Sequence, residues 1–149
     1  MNYEYLNIAF EEAEKAFKKN EIPVGAVIVK DNTIITKTHN LKELNKCCTS
    51  HAEILAINEA SKIINNWRLT DCDIYITLDP CPMCASAIKQ SRIKNVYSAN
   101  KNGDDNNYNI IKSIFDADKN NSSVNFITNL NSDKSNELLR AFFKKRRSK

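Results

Sequence analysis

Short apolar runs rich in β-branched residues alternate with segments of helical periodicity along this chain. The strand-like runs are "VGAVIV", "TIITKTH", "DIYITL", "NVYSA" and "VNFITNL". The helical segments are the N-terminal residues, "HAEILAINEASKIINN", "CPMCASAIKQSRI", "YNIIKSIF" and a last segment from about Asp133. The resulting order, α-β-β-α-β-α-β-α-β-α, requires a hairpin around Asp31 and Asn32 followed by crossover connections. It predicts an α/β fold in three layers, with helices on both faces of a five-stranded mixed sheet.

Two polar loops and one helical face are notable within this pattern. Residues 40–50 and 100–108 form long polar loops, and we expect them to wall a site, because binding and catalytic groups concentrate on loops. In "HAEILAINEASKIINN" the spacing of Ile54, Ile57, Ala60 and Ile64 marks a helix.

Length and cysteine content limit the class of protein. A chain of 149 residues suffices for one domain with its own core, and we expect a single domain over residues 1–149. No run of about 18 apolar residues is present, and the acidic, amphipathic N-terminus is unlike a signal peptide. We therefore expect a soluble cytoplasmic protein without a membrane partner. Its five cysteines are an odd number, which in a reducing compartment favours metal binding or catalysis over disulfides.

The positive charge is concentrated at one end of the chain. Residues 138–149, "LLRAFFKKRRSK", hold six basic side chains and no acid. The other 137 residues carry 16 basic and 18 acidic groups, a net charge of −2. A basic end that contains two aromatic residues favours a polyanionic partner such as nucleic acid. The alternative is a solvated helix end whose cations are favourably placed near the C-terminus of the helix.

Cys81 and Cys84 lie three positions apart in "LDPCPMCASAIKQSRI", at the predicted start of a helix. By itself the pair fits half of a redox couple, half of a metal site, or two buried thiols without chemistry. Thiolates are favoured there, because unpaired backbone N–H groups and the helix dipole stabilise negative charge. Pro82 suits the first helical turn, where its missing N–H has no cost.

A second motif, "HAE", decides among these alternatives, because it opens the preceding predicted helix and brings an imidazole. Cys81 and Cys84 are neighbours on a helix and can bind one ion together with His51. One imidazole and two thiolates leave a fourth position open on zinc, which is typical of a catalytic site. Glu53 can share that site only if "HAE" lies in the first turn, because residues two apart in mid-helix point to nearly opposite sides.

Such a group predicts hydrolytic chemistry. Zinc lowers the pKa of a bound water toward neutrality, and a neighbouring carboxylate can accept and pass on the proton. Attack on an amidine-like carbon is then hydrolytic deamination. His-x-Glu followed by Pro-Cys-x-x-Cys is the signature of zinc nucleobase deaminases.

A further pattern is the combination of several segments that lie between about Tyr3 and Arg147. These segments are "EIPVGAVIV", "HAEILAI", "NWRL", "DIYITLDPCPMCASAIKQSRI" and "LLRAFFKKRR". Together they resemble the bacterial tRNA-specific adenosine deaminases, of the cytidine deaminase superfamily, which convert the wobble adenosine of a tRNA anticodon to inosine. The resemblance implies a cytidine-deaminase-like fold and a homodimer whose RNA touches both subunits. The partner it implies is the tRNA anticodon loop.

The same resemblance implies the roles of individual residues. One Zn²⁺ per subunit would be held by His51, Cys81 and Cys84, with Glu53 as the proton shuttle. The substrate-contacting positions it implies are Asn40, Ala52, Pro80, Lys101, Phe142, Phe143 and Arg146. Asn40 matches an asparagine that hydrogen-bonds the flipped base, and the phenylalanines match a helix that packs against unpaired nucleotides. Apart from the resemblance, an asparagine in a loop such as Asn40 is more often a turn residue than a ligand. The alternative for Phe142 is a core residue of the last helix, and we expect one of the two phenylalanines to be such a residue.

The chain departs from the family pattern in three places. Asp79 replaces a glutamate before the proline of "PCPMC", and "CTS" replaces Pro-Thr-Ala before "HAE". Cys47 and Cys48 are interpreted as ordinary loop thiols, with a place near the zinc as the alternative. A glycine-rich loop is replaced by "NKNGDDNNYN", whose Asp104 and Asp105 put negative charge where an RNA contact is expected.

Two other functions are compatible with these residues. The first is a deaminase of a free nucleobase or nucleoside, of the guanine or cytosine type, which would need no basic tail. The second is a non-catalytic zinc or RNA-binding module in which Glu53 is only an acid at a helix start.

Overall fold

The structure is a computed structural model that describes residues 1–118 and 123–147. Its elements follow the predicted order, which is confirmed. The helices are α1 Tyr3–Lys18, α2 Ala52–Ile64, α3 Pro82–Gln90, α4 Asp105–Asp116 and α5 Ser132–Arg147. The strands are β1 Gly25–Lys30, β2 Thr33–His39, β3 Cys72–Ile76, β4 Asn95–Ser98 and β5 Asn125–Ile127. Within the described ranges, no helix is long and apolar enough to cross a membrane.

The five strands form one mixed sheet in the order β2-β1-β3-β4-β5. β1 pairs antiparallel with β2 and β3, whereas β3, β4 and β5 are parallel to one another. Asp31 and Asn32 join β1 to β2 with positive φ angles of 51° and 59°. That conformation matches the twist of a hairpin and suits Asp and Asn. The predicted hairpin and mixed sheet are therefore confirmed.

Alternate residues of the strands pack into two separate cores. Ala26 and Ile28 face a cluster with α2, α3 and α4, whereas Val27 and Val29 face a cluster with α1. This division follows from the two-residue period of a strand, which sends successive side chains to opposite faces. The helices therefore lie on both faces of the sheet, as the three-layer prediction required.

The buried face of α2 is made mainly of alanines. The fully buried apolar side chains are Ala52, Ala56 and Ala60, and Ile54 is not part of the core. Small side chains let a helix backbone lie close to a sheet, and the isoleucines then fall at the edges of the contact. The periodicity located the helix correctly: Ala60 is buried, and Ile57 and Ile64 are partly buried against the core.

The predicted loop 100–108 is shorter than expected, because α4 begins at Asp105. The Asp104 side chain accepts a hydrogen bond from the Asn106 N–H at 3.0 Å and caps the helix. Lys101 Nζ lies 3.3 Å from Asp105 Oδ1, so the negative charge at this helix start has a local partner. The acids stabilise α4 in addition to facing any ligand.

Gly25 lets α1 lie directly against the start of β1, and alanine there is expected to destabilise the fold. A Cβ at this position would lie 1.9 Å from the Ala9 carbonyl oxygen and 2.7 Å from the Ala13 nitrogen. Both are backbone atoms, so the helix itself must move. We expect Gly25→Ala to lower the free energy of unfolding by about 3 kcal/mol and the melting temperature by roughly 10 °C.

The matched control is the same change at the other glycine. A Cβ at Gly103 would meet only the Asn107 Cβ, at an ordinary contact distance of 4.0 Å, so the main cost of Gly103→Ala is the positive φ of 83°, which is about 1 kcal/mol. Thermal unfolding of both variants measures the difference. Equal melting temperatures for the two variants would contradict the close approach of α1 to β1.

Candidate active site

Two helix starts meet at one edge of the sheet. His51 precedes the first residue of α2, and Cys81 precedes Pro82, the first residue of α3. Both are extended at the N-cap, and neither side chain makes a capping hydrogen bond. Their donor atoms are therefore available for another role. The predicted placement of "HAE" and of Pro82 at helix starts is confirmed.

The side chains of His51, Cys81 and Cys84 form a group that could hold a metal ion. Their ligand atoms all lie within 4.8 Å of one another. His51 Nδ1 is 3.7 Å from the sulfur of Cys81 and 3.6 Å from that of Cys84. Tetrahedral zinc, with bonds of about 2.0 Å to nitrogen and 2.3 Å to sulfur, separates such donors by about 3.6 Å. The arrangement and the chemistry of the donors fit zinc.

The two thiols share one negative charge. The hydrogen bond with Cys84 lowers the pKa of Cys81 to about 5, and the N–H groups of Cys84 and Met83 and the nearby His51 add to this effect. The pKa of Cys84 is raised, because its thiol hydrogen-bonds the Cys81 sulfur, is buried, and lies near Glu53. One thiolate is thus available near neutral pH at the start of α3, as thiolate stabilisation at a helix N-terminus predicts.

Glu53 lies in the first turn of α2, next to this group, and only 4% of it is exposed. Burial raises the pKa of Glu53 to about 7, and the charge of Cys81 contributes to the rise. Its carboxyl also makes a hydrogen bond with the Cys84 side chain. A buried carboxyl that titrates near neutral pH can both accept and donate a proton, which is what general acid–base catalysis requires.

A cavity of about 470 Å³ opens onto these residues. At one side it is lined by Ile22, Val24, Asn40 and Lys42, and at the other by Leu78, Asp79 and residues 100–103. The α5 helix closes it with Asn136, Leu139 and Phe143. Both polar loops predicted as walls contribute, which is confirmed. The volume is typical of a site for a small ligand.

Four of the predicted substrate-contacting residues line this cavity. One of them is Asn40, whose side chain already makes two hydrogen bonds within the protein. The Asn40 Nδ2 donates to the Ile22 carbonyl at 3.3 Å, and its Oδ1 accepts from the Lys42 N–H at 3.1 Å. The other three lining positions are Ala52, Lys101 and Phe143.

The remaining predicted positions lie outside the cavity lining. Pro80 is buried between Asp79 and Cys81, and Arg146 lies beside a neighbouring pocket. Phe142 is 4% exposed, with its ring centroid 6.4 Å from that of Phe17. This burial fits the alternative interpretation of Phe142 as a core residue of the last helix. Phe143 is 44% exposed and is the ring available to a ligand. Lys149, part of the predicted basic end, lies outside the described residues.

The structure adds cavity residues that sequence reasoning did not select. The Asn100 side chain donates to Asn136 Oδ1 at 2.8 Å and so connects the end of β4 to α5. Asp79 accepts from the Thr128 hydroxyl at 2.5 Å. The spacing of Asn136, Leu139 and Phe143 is one helical face, and that signal was present in the sequence.

Cys47 and Cys48 are both exposed and lie outside the donor group. This position agrees with the interpretation as ordinary loop thiols. Hydrogen bonds from Thr49 and then Ser50 nevertheless lower the pKa of Cys47 to about 7.

We therefore expect Cys47 to alkylate readily, at a rate that falls roughly tenfold from pH 8 to pH 6 as the thiolate is protonated. Iodoacetamide labelling followed by mass spectrometry measures this rate. Cys48→Ser should keep the fast reaction and Cys47→Ser should lose it. Fast labelling that survives in Cys47→Ser would contradict the assignment.

The three-layer fold and the paired helix starts define a protein of the cytidine-deaminase-like class. Residues 2–147 match the family model of MafB19-like deaminases. The chain belongs to this family.

Individual curated proteins are also similar to this chain. The chain is 47% identical over 92 residues to the tRNA-specific adenosine deaminase of Bacillus subtilis (strain 168), a match that covers 62% of this chain and 57% of the relative. It spans about three fifths of the length of the curated relatives that it matches.

Two solved structures are also similar to the chain. One comes from work on A-to-I editing by tRNA:A34 deaminases at the wobble position, with a TM-score of 0.84, 30% identity, and coverage of 93% of this chain and 100% of that one. The other is guanine deaminase from Bacillus subtilis, with a TM-score of 0.65, 39% identity, and coverage of 68% and 66%.

Proposed function

We propose that this chain catalyses the hydrolytic deamination of adenosine to inosine at the wobble position of a tRNA anticodon. The observation that carries the proposal is the His51, Cys81 and Cys84 donor group with buried Glu53 beside it. His51, Glu53 and Cys81 line the cavity. The names of the relatives, tRNA-specific adenosine deaminases, support the substrate. On this proposal residues 1–149 form one deaminase domain that works in the cytoplasm.

The proposed cofactor is one Zn²⁺ per subunit, held by His51, Cys81 and Cys84. When bound, zinc supplies a water acidic enough to lose its proton at neutral pH. The donor distances of 3.6 and 3.7 Å support this assignment.

Glu53 is proposed to move the protons of the reaction. Its carboxylate accepts a proton from the attacking water and delivers it to the ring nitrogen next to the reacting carbon. The remaining proton of the added water, now on the hydroxyl group of the reacting carbon, then passes through Glu53 to the exocyclic amine. The carbon–nitrogen bond breaks, ammonia leaves, and the carbon keeps the water oxygen as a carbonyl. The pKa of about 7 suits both steps, because the group is then partly protonated at the working pH.

The base is proposed to bind in the cavity against Asn40, Ala52 and Phe143, with Lys101 and Pro80 nearby. Aromatic stacking and hydrogen bonding to a base are the usual means of holding an unpaired nucleotide. Phe142 is proposed to support Phe143 from the core side, since their ring centroids are 5.4 Å apart.

The basic end of α5 is proposed to contact the phosphates of the anticodon loop. Its last turn carries Lys144, Lys145, Arg146 and Arg147. The helix contributes Phe143 to the cavity and cations beyond it, so a nucleotide in the cavity and its neighbouring phosphates can be held together. A homodimer that shares the RNA completes the proposal.

The second candidate is deamination of a free nucleobase, such as guanine. The similarity to guanine deaminase favours it, as do the exposed acids Asp104 and Asp105 beside the cavity loop.

An assay of ammonia release separates the two candidates. Zinc-loaded protein is incubated in parallel with an anticodon stem-loop bearing wobble adenosine, and with guanine, cytosine, adenosine and cytidine. The proposal expects release from the stem-loop alone. Release from a free base without inosine in the RNA would establish the second candidate instead.

A further inference from the structure

A buried carboxylate outside the catalytic group holds one wall of the cavity. Glu21 follows α1 and is 1% exposed. Its Oε1 accepts the Glu43 N–H at 3.0 Å, and its Oε2 accepts the Leu44 N–H at 2.8 Å. Within residues 1–118 and 123–147 it forms no ion pair, so these two amides compensate its burial. Hydrogen bonds to a charged acceptor are about twice as strong as neutral ones.

The residues next to Glu21 hold the start of the same loop. The Asn40 side chain donates to the Ile22 carbonyl at 3.3 Å, and the Asn40 N–H donates to the Val24 carbonyl at 3.0 Å. The Asn40 Oδ1 in turn accepts the Lys42 N–H at 3.1 Å. The orientation of the Asn40 carboxamide therefore depends on the position of residues 42–44, which Glu21 holds.

The far end of this loop leads to the donor group. The Leu41 N–H donates to the Ser50 carbonyl at 3.1 Å, directly before His51. This bond and the Asn40 N–H bond to Val24 hold the backbone at both ends of the loop. A displacement of residues 43 and 44 would therefore act on the Asn40 carboxamide, whose Oδ1 accepts the Lys42 N–H, and would leave His51 in place.

We propose that Glu21 is a positioning residue for substrate recognition, which orients the Asn40 carboxamide at the cavity through the amides of Glu43 and Leu44. This inference rests on the proposed function, in which Asn40 contacts the base. Glu21 itself touches neither the base nor the donor group. Glutamine in its place would set an NH₂ group against a backbone N–H, so one of the two bonds would be lost.

A double-mutant cycle tests the proposal, with kcat and KM measured on the anticodon stem-loop. Glu21→Gln is expected to lower kcat/KM roughly 10- to 100-fold, as is Asn40→Ala. Because Glu21 acts through Asn40, the double variant should be no more than about threefold worse than Asn40→Ala. Zinc content should stay at the parental value, whereas the melting temperature should fall by a few degrees, because each variant loses a hydrogen bond of a buried side chain. Glu14→Gln removes the same charge at an exposed site of α1 and is the matched control.

The proposal would be overturned if the losses of kcat/KM in Glu21→Gln and Asn40→Ala multiply in the double variant. It would also be overturned if Glu21→Gln had the parental kcat and KM. If Glu21→Gln does not fold, Glu21→Asp replaces it in the cycle, since it keeps the charge and shortens the reach. Deamination by the unmutated protein distinguishes a failure of this inference from a failure of the proposed function. A parent that makes no inosine in RNA but deaminates guanine overturns the function alone, and the same cycle measured on guanine then decides the role of Glu21.

Discussion

Glu53→Gln is expected to lower kcat by about 10²- to 10⁴-fold, because general acid–base catalysis contributes roughly that factor and glutamine can carry neither proton. The side chain keeps its size at a position that is 4% exposed, so the fold should be retained. Glu53 lies outside the three-residue donor group, so the zinc content should also stay at one per chain. Single-turnover deamination of the stem-loop, together with metal analysis, measures both quantities.

The matched control for this variant lies on the same helix. Glu59 is exposed on α2, and Glu59→Gln should leave kcat unchanged. Both glutamine variants remove one carboxylate from α2, but only Glu53→Gln removes the proposed proton carrier. A difference in kcat between them therefore reports the loss of that carrier. Deamination by Glu53→Gln at the parental rate would remove Glu53 from the mechanism and favour a non-catalytic role for its helix-start charge.

Cys81→Ala is expected to lower the zinc content to below about one tenth of an ion per chain, and activity with it. Two remaining donors, His51 and Cys84, do not complete a zinc site, for which three protein ligands are the usual minimum in catalytic centres. The change also removes the thiolate whose pKa is about 5. Elemental analysis after dialysis against a weak chelator measures the loss.

Cys48→Ala is the control for this loss, since Cys48 is exposed and outside the donor group. It should retain parental zinc and activity. Unchanged metal in Cys81→Ala would assign the zinc to other ligands, and loss of zinc in Cys48→Ala would identify one of them.

The order of elements and the donor group could both be predicted, because both depend on local patterns. A helix start is recognised within a few residues, and "HAE" and "CPMC" each mark one. Crossover rules then bring the two helix starts to the same edge of the mixed sheet, because β2 and β3 run in the same direction. His51, Cys81 and Cys84 therefore meet although they lie on two helices.

Other features depend on contacts that no local pattern encodes. Glu21 binds amides 22 and 23 positions along the chain, and Asp79 meets Thr128 at a separation of 49. Ala52 and Ala56 were not selected for a related reason, since apolar spacing favours large isoleucines, whereas close packing of α2 buries these alanines together with Ala60. The start of α4 was missed because "DDNN" is typical of a loop, although Asp104 is also a good N-cap.

The most direct test of the account is one reaction run in water enriched in heavy oxygen. The substrate is an anticodon stem-loop with adenosine at the wobble position and at other loop positions, and the product is sequenced and weighed by mass spectrometry. Hydrolytic deamination by this site predicts inosine at the wobble position alone, with one solvent oxygen in each inosine. Unaltered adenosine at that position, or inosine without the heavy oxygen, would contradict the account.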